Sequence, residues 1–251
     1  MSSQINIIGI GSLPEIRSGD NLGHLIIRAL KEEGVEITSG EVLVVTQKVV
    51  SKSEGRVINL STVEPSNLAC QIALEHERDP RHTEVILRES KRIVRMDRGV
   101  IISETRHGFR CANAGVDASN VEGDHSVALL PKDPDASARS IRMSIKNILG
   151  IDVAVIISDT FGRPWREGAT NVSIGLSGIS ALMDYRGKID RFGYPLRTTT
   201  IAVADELAAA AELVMGKLDN IPVALIKGYS YTKGGSGVKD LIRPADRDLF
   251  R

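Results

Sequence analysis

Three short segments gather residue types able to do chemistry, and each stands at the end of a strand-like run. The sharpest is Ser158-Asp159-Thr160-Phe161-Gly162-Arg163-Pro164-Trp165-Arg166-Glu167-Gly168. An apolar strand that delivers a carboxylate and then a hydroxyl at its tip suits a hard divalent cation, which prefers oxygen donors. Arg163 and Arg166 follow at once, and guanidinium groups recognise a carboxylate or phosphate by two parallel hydrogen bonds. Trp165, the single tryptophan, offers a face to a planar ligand. The plain alternative is a surface loop with an ordinary ion pair.

The second segment is Asn113-Ala114-Gly115-Val116-Asp117-Ala118-Ser119-Asn120. Its small residues let the backbone approach a ligand, Gly115 permits a left-handed dihedral, and Asp117 with Asn120 could aim a carboxylate and an amide at one point. A tight turn closed by Asp and Asn side chains explains the same composition. The third is Thr46-Gln47-Lys48-Val49-Val50-Ser51-Lys52-Ser53-Glu54-Gly55. Lys48 and Lys52, four residues apart among hydroxyls and Gln47, suit phosphate oxygens. A solvated strand exit would look similar.

These segments need elements to hold them. Residues 4–10 read as a short β-branched strand, and residues 21–33 as an amphipathic helix with Asp20 as its cap. The continuous apolar run over residues 42–45 predicts a buried strand, with residues 46–52 as its polar continuation. Helices are expected over 65–77 and 80–90, the latter started by Asp79-Pro80. Four short strands at 92–96, 100–104, 109–114 and 126–130, separated by glycines, suggest antiparallel pairing. A helix over 136–149, a second apolar strand at 153–157, a strand at 199–203, a helix at 205–215 and a strand at 223–226 complete the order. In the stretch 174–179 the glycines suit close helix packing better than a phosphate nest. Mixed βα units and meander predict an α+β fold with mixed and antiparallel sheets and flanking helices. The chain is expected to form a single domain over residues 1–251, in two intimately associated lobes, the strand-rich one spanning roughly 92–130.

Composition narrows the function. The 251 residues are 42% hydrophobic and only 4% aromatic, with 23 glycines and 32 basic against 32 acidic side chains. At that length roughly three quarters of the unfolded surface is buried without disulfide or metal staples. A zero net charge gives no general attraction to nucleic acid or anionic membrane, so an anionic ligand needs a built site. Cys70 and Cys111 lack metal-ligand spacing and fit a reducing compartment. With no leader-like start and no long apolar run, a cytoplasmic location is expected. Walker, nucleophile-elbow and zinc-protease motifs are absent, and Gly9-Ile10-Gly11-Ser12-Leu13-Pro14 departs from the dinucleotide fingerprint. The five histidines show no ligand spacing.

Taken together the segments resemble the coenzyme F420-0:L-glutamate ligases, also called F420-0 gamma-glutamyl ligases. The likeness is carried by Leu13-Pro14, residues 40–55, residues 113–120, Ser158 to Arg163, and Met215-Gly216 through Ile221-Pro222, in order along nearly the whole chain. The resemblance implies a ligase that attaches L-glutamate to F420-0 with GTP and a divalent metal, Mn2+ or Mg2+, with K+ as an optional further ion. It implies Asp117, Asp159 and Thr160 as metal ligands, with Asp117, Asp159 and Lys52 carrying catalysis. Leu13, Pro14, Glu15, Ile16, Gln47, Lys48, Lys52, Asn120, Met215 and Gly216 would line the GTP site. It also implies a homodimer with interdigitated subunits. One position departs. Where the family usually has an acidic or amide residue after Met-Gly, this chain has Lys217, which as an ammonium has no lone pair to offer. Arg163 and Arg166 are candidates for a substrate carboxylate or phosphodiester. Another nucleotide- and metal-dependent carboxylate-amine ligase, a kinase, and a non-catalytic nucleotide-binding regulator are the competing readings.

Overall fold

The two apolar runs expected as buried strands lie side by side at the centre of one sheet. The computed structural model describes residues 4–119, 123 and 125–248. In chain order its elements are β1 (Asn6–Ile10), α1 (Leu22–Glu32), β2 (Val42–Thr46), α2 (Gln47–Ser53), β3 (Val57–Asn59), α3 (Asn67–Glu75), α4 (Pro80–Glu89), β4 (Ser90–Asp97), β5 (Val100–Thr105), β6 (Arg110–Ala112) and β7 (Ser126–Ala128). The second half adds α5 (Pro134–Leu149), β8 (Ala154–Arg163), β9 (Arg166–Ser177), β10 (Met183–Asp184), β11 (Thr200–Ile201), α6 (Val203–Met215) and β12 (Val223–Lys227).

The main sheet runs β1-β12-β2-β8-β9, antiparallel except for the parallel pair β2 and β8. Both faces of β2 are covered, which is why Val42, Leu43, Val44 and Val45 are all fully buried. A three-stranded antiparallel sheet β4-β5-β6 and two small ladders, β3-β7 and β10-β11, complete an α+β architecture. Residues 126–130 therefore do not extend the β4-β5-β6 meander: β7 pairs with β3, a partner far away in sequence. Among the described residues no helix is long and apolar enough to cross a membrane.

Among the described residues the buried apolar side chains fall into two clusters. The larger gathers α1, α5 and α6 on the main sheet. The smaller contains Leu60, Ile72, Val85, Ile86, Ile101, Val116, Val127 and Leu129, so it draws on α3 and α4 as well as on the short strands and begins well before residue 92. Helix ends follow local chemistry. Asp133 caps α5 by accepting from the Ala136 amide at 2.9 Å, Pro134 opens it, and Gly150 ends it at φ 73°. For α1 the cap is Asn21, which accepts from the His24 amide, while Asp20 accepts from Arg17 N instead. The Gly175 expectation holds: a Cβ there would collide with Pro134, so glycine lets the start of α5 sit directly on β9.

Two departures shape the site. Residues 47–53 form helix α2 and do not continue the strand. Gln47 and Ser51, one turn apart and both buried, hydrogen-bond to each other at 2.8 Å, and that pairing needs a helix. The strand expected to end at Ile157 runs on to Arg163 as half of a long hairpin with β9. Its pairing with β2 stops at Ser158.

Candidate functional site

A cleft of about 570 Å³ opens where β2 turns into α2 and β8 runs on alone with β9. This is the carboxyl end of the main sheet's parallel strand pair, where α/β sheets commonly hold ligands, and the volume suits a nucleotide-sized molecule. Its lining includes Leu13, Pro14, Glu15 and Ile16 from the loop after β1, Gln47, Lys48 and Lys52 from α2, and Asp117. Asp159 and Thr160 from β8, and Gly216 after α6, complete the set of expected residues found there. Met215 is fully buried beneath the cleft and acts as core. Asn120 lies outside the described residues.

Asp117 is aimed by an unusual piece of backbone. Asn113, Ala114 and Gly115 have φ of 53°, 54° and 72°, three successive left-handed residues, two of them non-glycine. The Arg78 guanidinium holds Asn113 Oδ1 with two bonds of 3.1 Å, and a Cβ on Gly115 would come within 2.7 Å of Leu130. Beyond this turn Asp117 pairs by its backbone with Ala128. Its carboxylate accepts from Lys48 Nζ at 2.7 Å and from Ser119 N at 2.8 Å. Burial would raise its pKa, but the Lys48 ammonium and the Ser119 donors outweigh that and hold it below the usual value.

Asp159 meets it across the cleft floor. Burial pushes the Asp159 carboxyl up to about 7, the Thr160 amide draws it down, and the charge of Asp117 adds to the rise. Cys111 stands beside it on β6, and burial together with the Asp159 charge pushes that thiol up to about 12, which leaves it protonated and unsuited to nucleophilic work. The strand alternation sends Thr160 to the opposite side, towards α6. Its Oγ1 donates to Asn171 Oδ1 at 2.7 Å, Asn171 Nδ2 donates to Glu212 Oε2 at 2.7 Å, and Lys217 Nζ donates to Thr160 Oγ1.

The donor set fits a divalent cation. Two carboxylates, one forced towards its neutral form by burial and by the other's charge, are relieved when a cation sits between them. Among the described residues no group of three or more His, Cys, Asp or Glu side chains could hold a metal. An ion held by Asp117 and Asp159 would therefore complete its shell with ligand oxygens and water, the habit of Mg2+ at phosphates. Lys48 and Lys52, one helical turn apart, form the basic wall, and Lys52 pairs with Glu15 at 2.5 Å.

Arg163 and Arg166 are not brought to the cleft. They flank the two-residue turn at the far end of the β8–β9 hairpin, where Trp165 takes φ 59° and is exposed. Arg163 donates to the Glu167 carbonyl at 2.9 Å and so closes its own turn. Asn171 and Glu212 are lining residues the sequence did not single out, and Ser158, named there only as the start of its segment, lines the cleft too. Ser158 Oγ is buried with no hydrogen-bond partner among the described residues, which leaves it available to a ligand. Only the β8–β9 register, which sets Thr160 opposite Asn171, and the packing of α6 reveal this group.

Residues 11–228 match the protein family described as F420-0:Gamma-glutamyl ligase. The chain is 46% identical over 250 residues to the coenzyme F420:L-glutamate ligase of Methanothermobacter thermautotrophicus, covering 98% of this chain and 99% of that one. It is 43% identical over 251 residues to the protein of the same name from Methanocaldococcus jannaschii, covering 99% and 97%. With that of Methanopyrus kandleri it shares 45% over 242 residues, 94% of each chain.

Proposed function

The chain belongs to the F420-0:gamma-glutamyl ligase family, a ligase of coenzyme F420 biosynthesis, and from that premise we propose that it joins L-glutamate to the carboxylate of F420-0 at the expense of GTP, through an acyl phosphate. Further gamma-linked glutamate would follow by the same chemistry. The observation that carries the reading is the convergence of Asp117 and Asp159 on the floor of a nucleotide-sized cleft walled by Lys48 and Lys52.

A carboxylate is a poor acyl donor because its leaving group would be an oxide. Its oxygen attacks the γ-phosphorus of GTP, the bond to the β-phosphate oxygen breaks, and GDP leaves. The glutamate amine then attacks the acyl-phosphate carbonyl, and phosphate departs with the original carboxylate oxygen. A divalent cation on Asp117 and Asp159 would neutralise the triphosphate and help align the in-line transfer. Lys48 and Lys52 would move from Asp117 and Glu15 to phosphate oxygens, stabilising charge as it builds on them. Leu13, Pro14 and Ile16 would flank the nucleotide and keep water from the acyl phosphate. No side-chain nucleophile is needed, in keeping with the protonated Cys111. A homodimer belongs to the same proposal, supported by the exposed Leu213 and Leu218 beside the cleft-forming end of α6.

The test is a reaction with GTP, Mn2+ or Mg2+, L-glutamate and F420-0 labelled with 18O in its carboxyl group. GDP release should require both cosubstrates, the product should gain one glutamyl residue, and the label should appear in inorganic phosphate. Phosphate release that ignores F420-0 would sink the ligase assignment, and unlabelled phosphate would remove the acyl phosphate.

A further inference from the structure

Strand β8 presents a carboxylate to one side of the cleft and a hydroxyl to the other. Only the second side already holds an ammonium against its hydroxyl. Around Thr160 a cation is already in place: a threonine hydroxyl has one proton and two lone pairs, and an ammonium holds one of those lone pairs. The proton goes to Asn171 Oδ1, and Lys217 Nζ occupies a lone pair. Asn171 Nδ2 in turn is spent on Glu212 Oε2, and Lys217 Nζ lies 3.9 Å from the other Glu212 oxygen.

The path of the chain places the ammonium there. Gly216 ends α6 at φ 59° and ψ −176°, a combination that residues with a Cβ rarely adopt, so the sharp exit from the helix favours glycine. Lys217 then rises along the cleft rim with its stem in solvent and its head directed inward, lining the same cleft as Asp159. Its charge reaches Asp159 as well, drawing that carboxyl down against the effect of burial. A positive charge thus stands where an ion ligated by Thr160 and Glu212 would otherwise have to sit.

We infer that Lys217 is the resident cation of the Thr160 side, so that the site takes one divalent ion, on Asp117 and Asp159, and the Lys217 ammonium supplies the second positive charge to the bound triphosphate. The inference rests on the nucleotide and metal reading above. It makes Lys217 a substrate-contacting residue, and it turns Thr160 from a metal ligand into the anchor of a lysine.

The experiment counts Mn2+ bound per chain, by equilibrium dialysis against a non-hydrolysable GTP analogue, for the full-length protein, Lys217→Gln and Lys217→Arg. The wild type should hold about one ion, Lys217→Arg should also hold about one, and Lys217→Gln should rise to about two as an amide oxygen replaces the ammonium. Because the Lys217 stem is exposed, neither substitution disturbs the core, and the wild-type count stands on its own. Two ions in the wild type, or no gain in Lys217→Gln, overturns the role of Lys217. No bound Mn2+ in any of the three overturns the metal reading of the site itself.

Discussion

Glu84 on α4 and Asp159 on β8 are both carboxylates withdrawn from bulk water, yet the protein treats them in opposite ways. Glu84 is surrounded by donors: Ser66 N at 3.0 Å, Ser66 Oγ at 2.6 Å and Arg88 Nε at 2.7 Å. Those bonds hold it down to about 2, the Ser66 hydroxyl contributing most. Asp159 has burial, the Thr160 amide and another carboxylate for company, and burial sends it up to about 7. A fully satisfied carboxylate is part of the fold, here tying α3 to α4. One left short of positive partners is a place for a ligand to complete, and the difference can be read in the sign of the pKa displacement.

The largest expected effect breaks this contrast at the cleft. Asp159→Asn and Asp117→Asn should each lower ligase turnover by about 10³-fold or more, since the amide keeps the shape but cannot hold the cation that offsets triphosphate charge. In the metal-free protein Asp159→Asn should be more stable than the wild type at pH 8, because it removes a charge the cleft floor does not support. Turnover near wild type in either variant would remove that residue from the metal site.

The pH dependence of stability sharpens the same contrast. Between about pH 4 and 7 the folded state keeps a proton on Asp159 that the unfolded chain has lost, so metal-free stability should fall as pH rises through that window. A displacement from 3.8 to about 7 corresponds to at most about 4 kcal/mol. Glu84 works with the opposite slope: its contribution is complete above the ordinary glutamate range and is lost as pH falls from about 4.5 towards 2. Melting temperatures of the metal-free protein should therefore peak near pH 4 to 5. Asp159→Asn should flatten the alkaline side and leave the acid side unchanged. Glu84→Gln should cost about 1.5–3 kcal/mol at pH 7, the range for lost charge-assisted hydrogen bonds, and should leave turnover intact. A flat profile between pH 4 and 7 would show that the cleft floor carries no penalty for the Asp159 charge.

Much of this was legible in residue order. Val42-Leu43-Val44-Val45 and the run up to Ile157 announced the central strands through unbroken apolar character, and the helix expected over 136–149 is α5, which starts two residues earlier on the Asp133-Pro134 cap. Asp159 stood out at the tip of an apolar strand, Asp117 in a turn of small residues, and Lys48 and Lys52 as a pair four residues apart among hydroxyls. The helical state of residues 47–53 was hidden: Val49 and Val50 favour a strand locally, and only burial of the Gln47–Ser51 pair decides otherwise. The continuation of β8 was hidden too, since Ser158, Asp159 and Thr160 read as a polar tip until β9 is laid beside them. Asn171 and Glu212 were invisible for the same reason, because their role depends on register and helix packing between distant segments.

Arg163 offers the smallest effect and tests the contrast from outside the cleft. Like Glu84 its charge is met by its own neighbourhood: the guanidinium donates to the Glu167 carbonyl and braces the hairpin turn. Extended chain rises roughly 3.3 Å per residue, so Arg163 stands about 10 Å beyond Thr160 and away from the cleft of the same chain. Arg163→Ala should therefore change the apparent affinities for glutamate and F420-0 less than about twofold, within about 0.4 kcal/mol, while the hairpin exchanges its amide protons faster. A tenfold weaker affinity for F420-0 would mean that the hairpin serves a site its own chain does not form. The long reach of β8 and β9 would then deliver a substrate-binding guanidinium to a second copy of the protein.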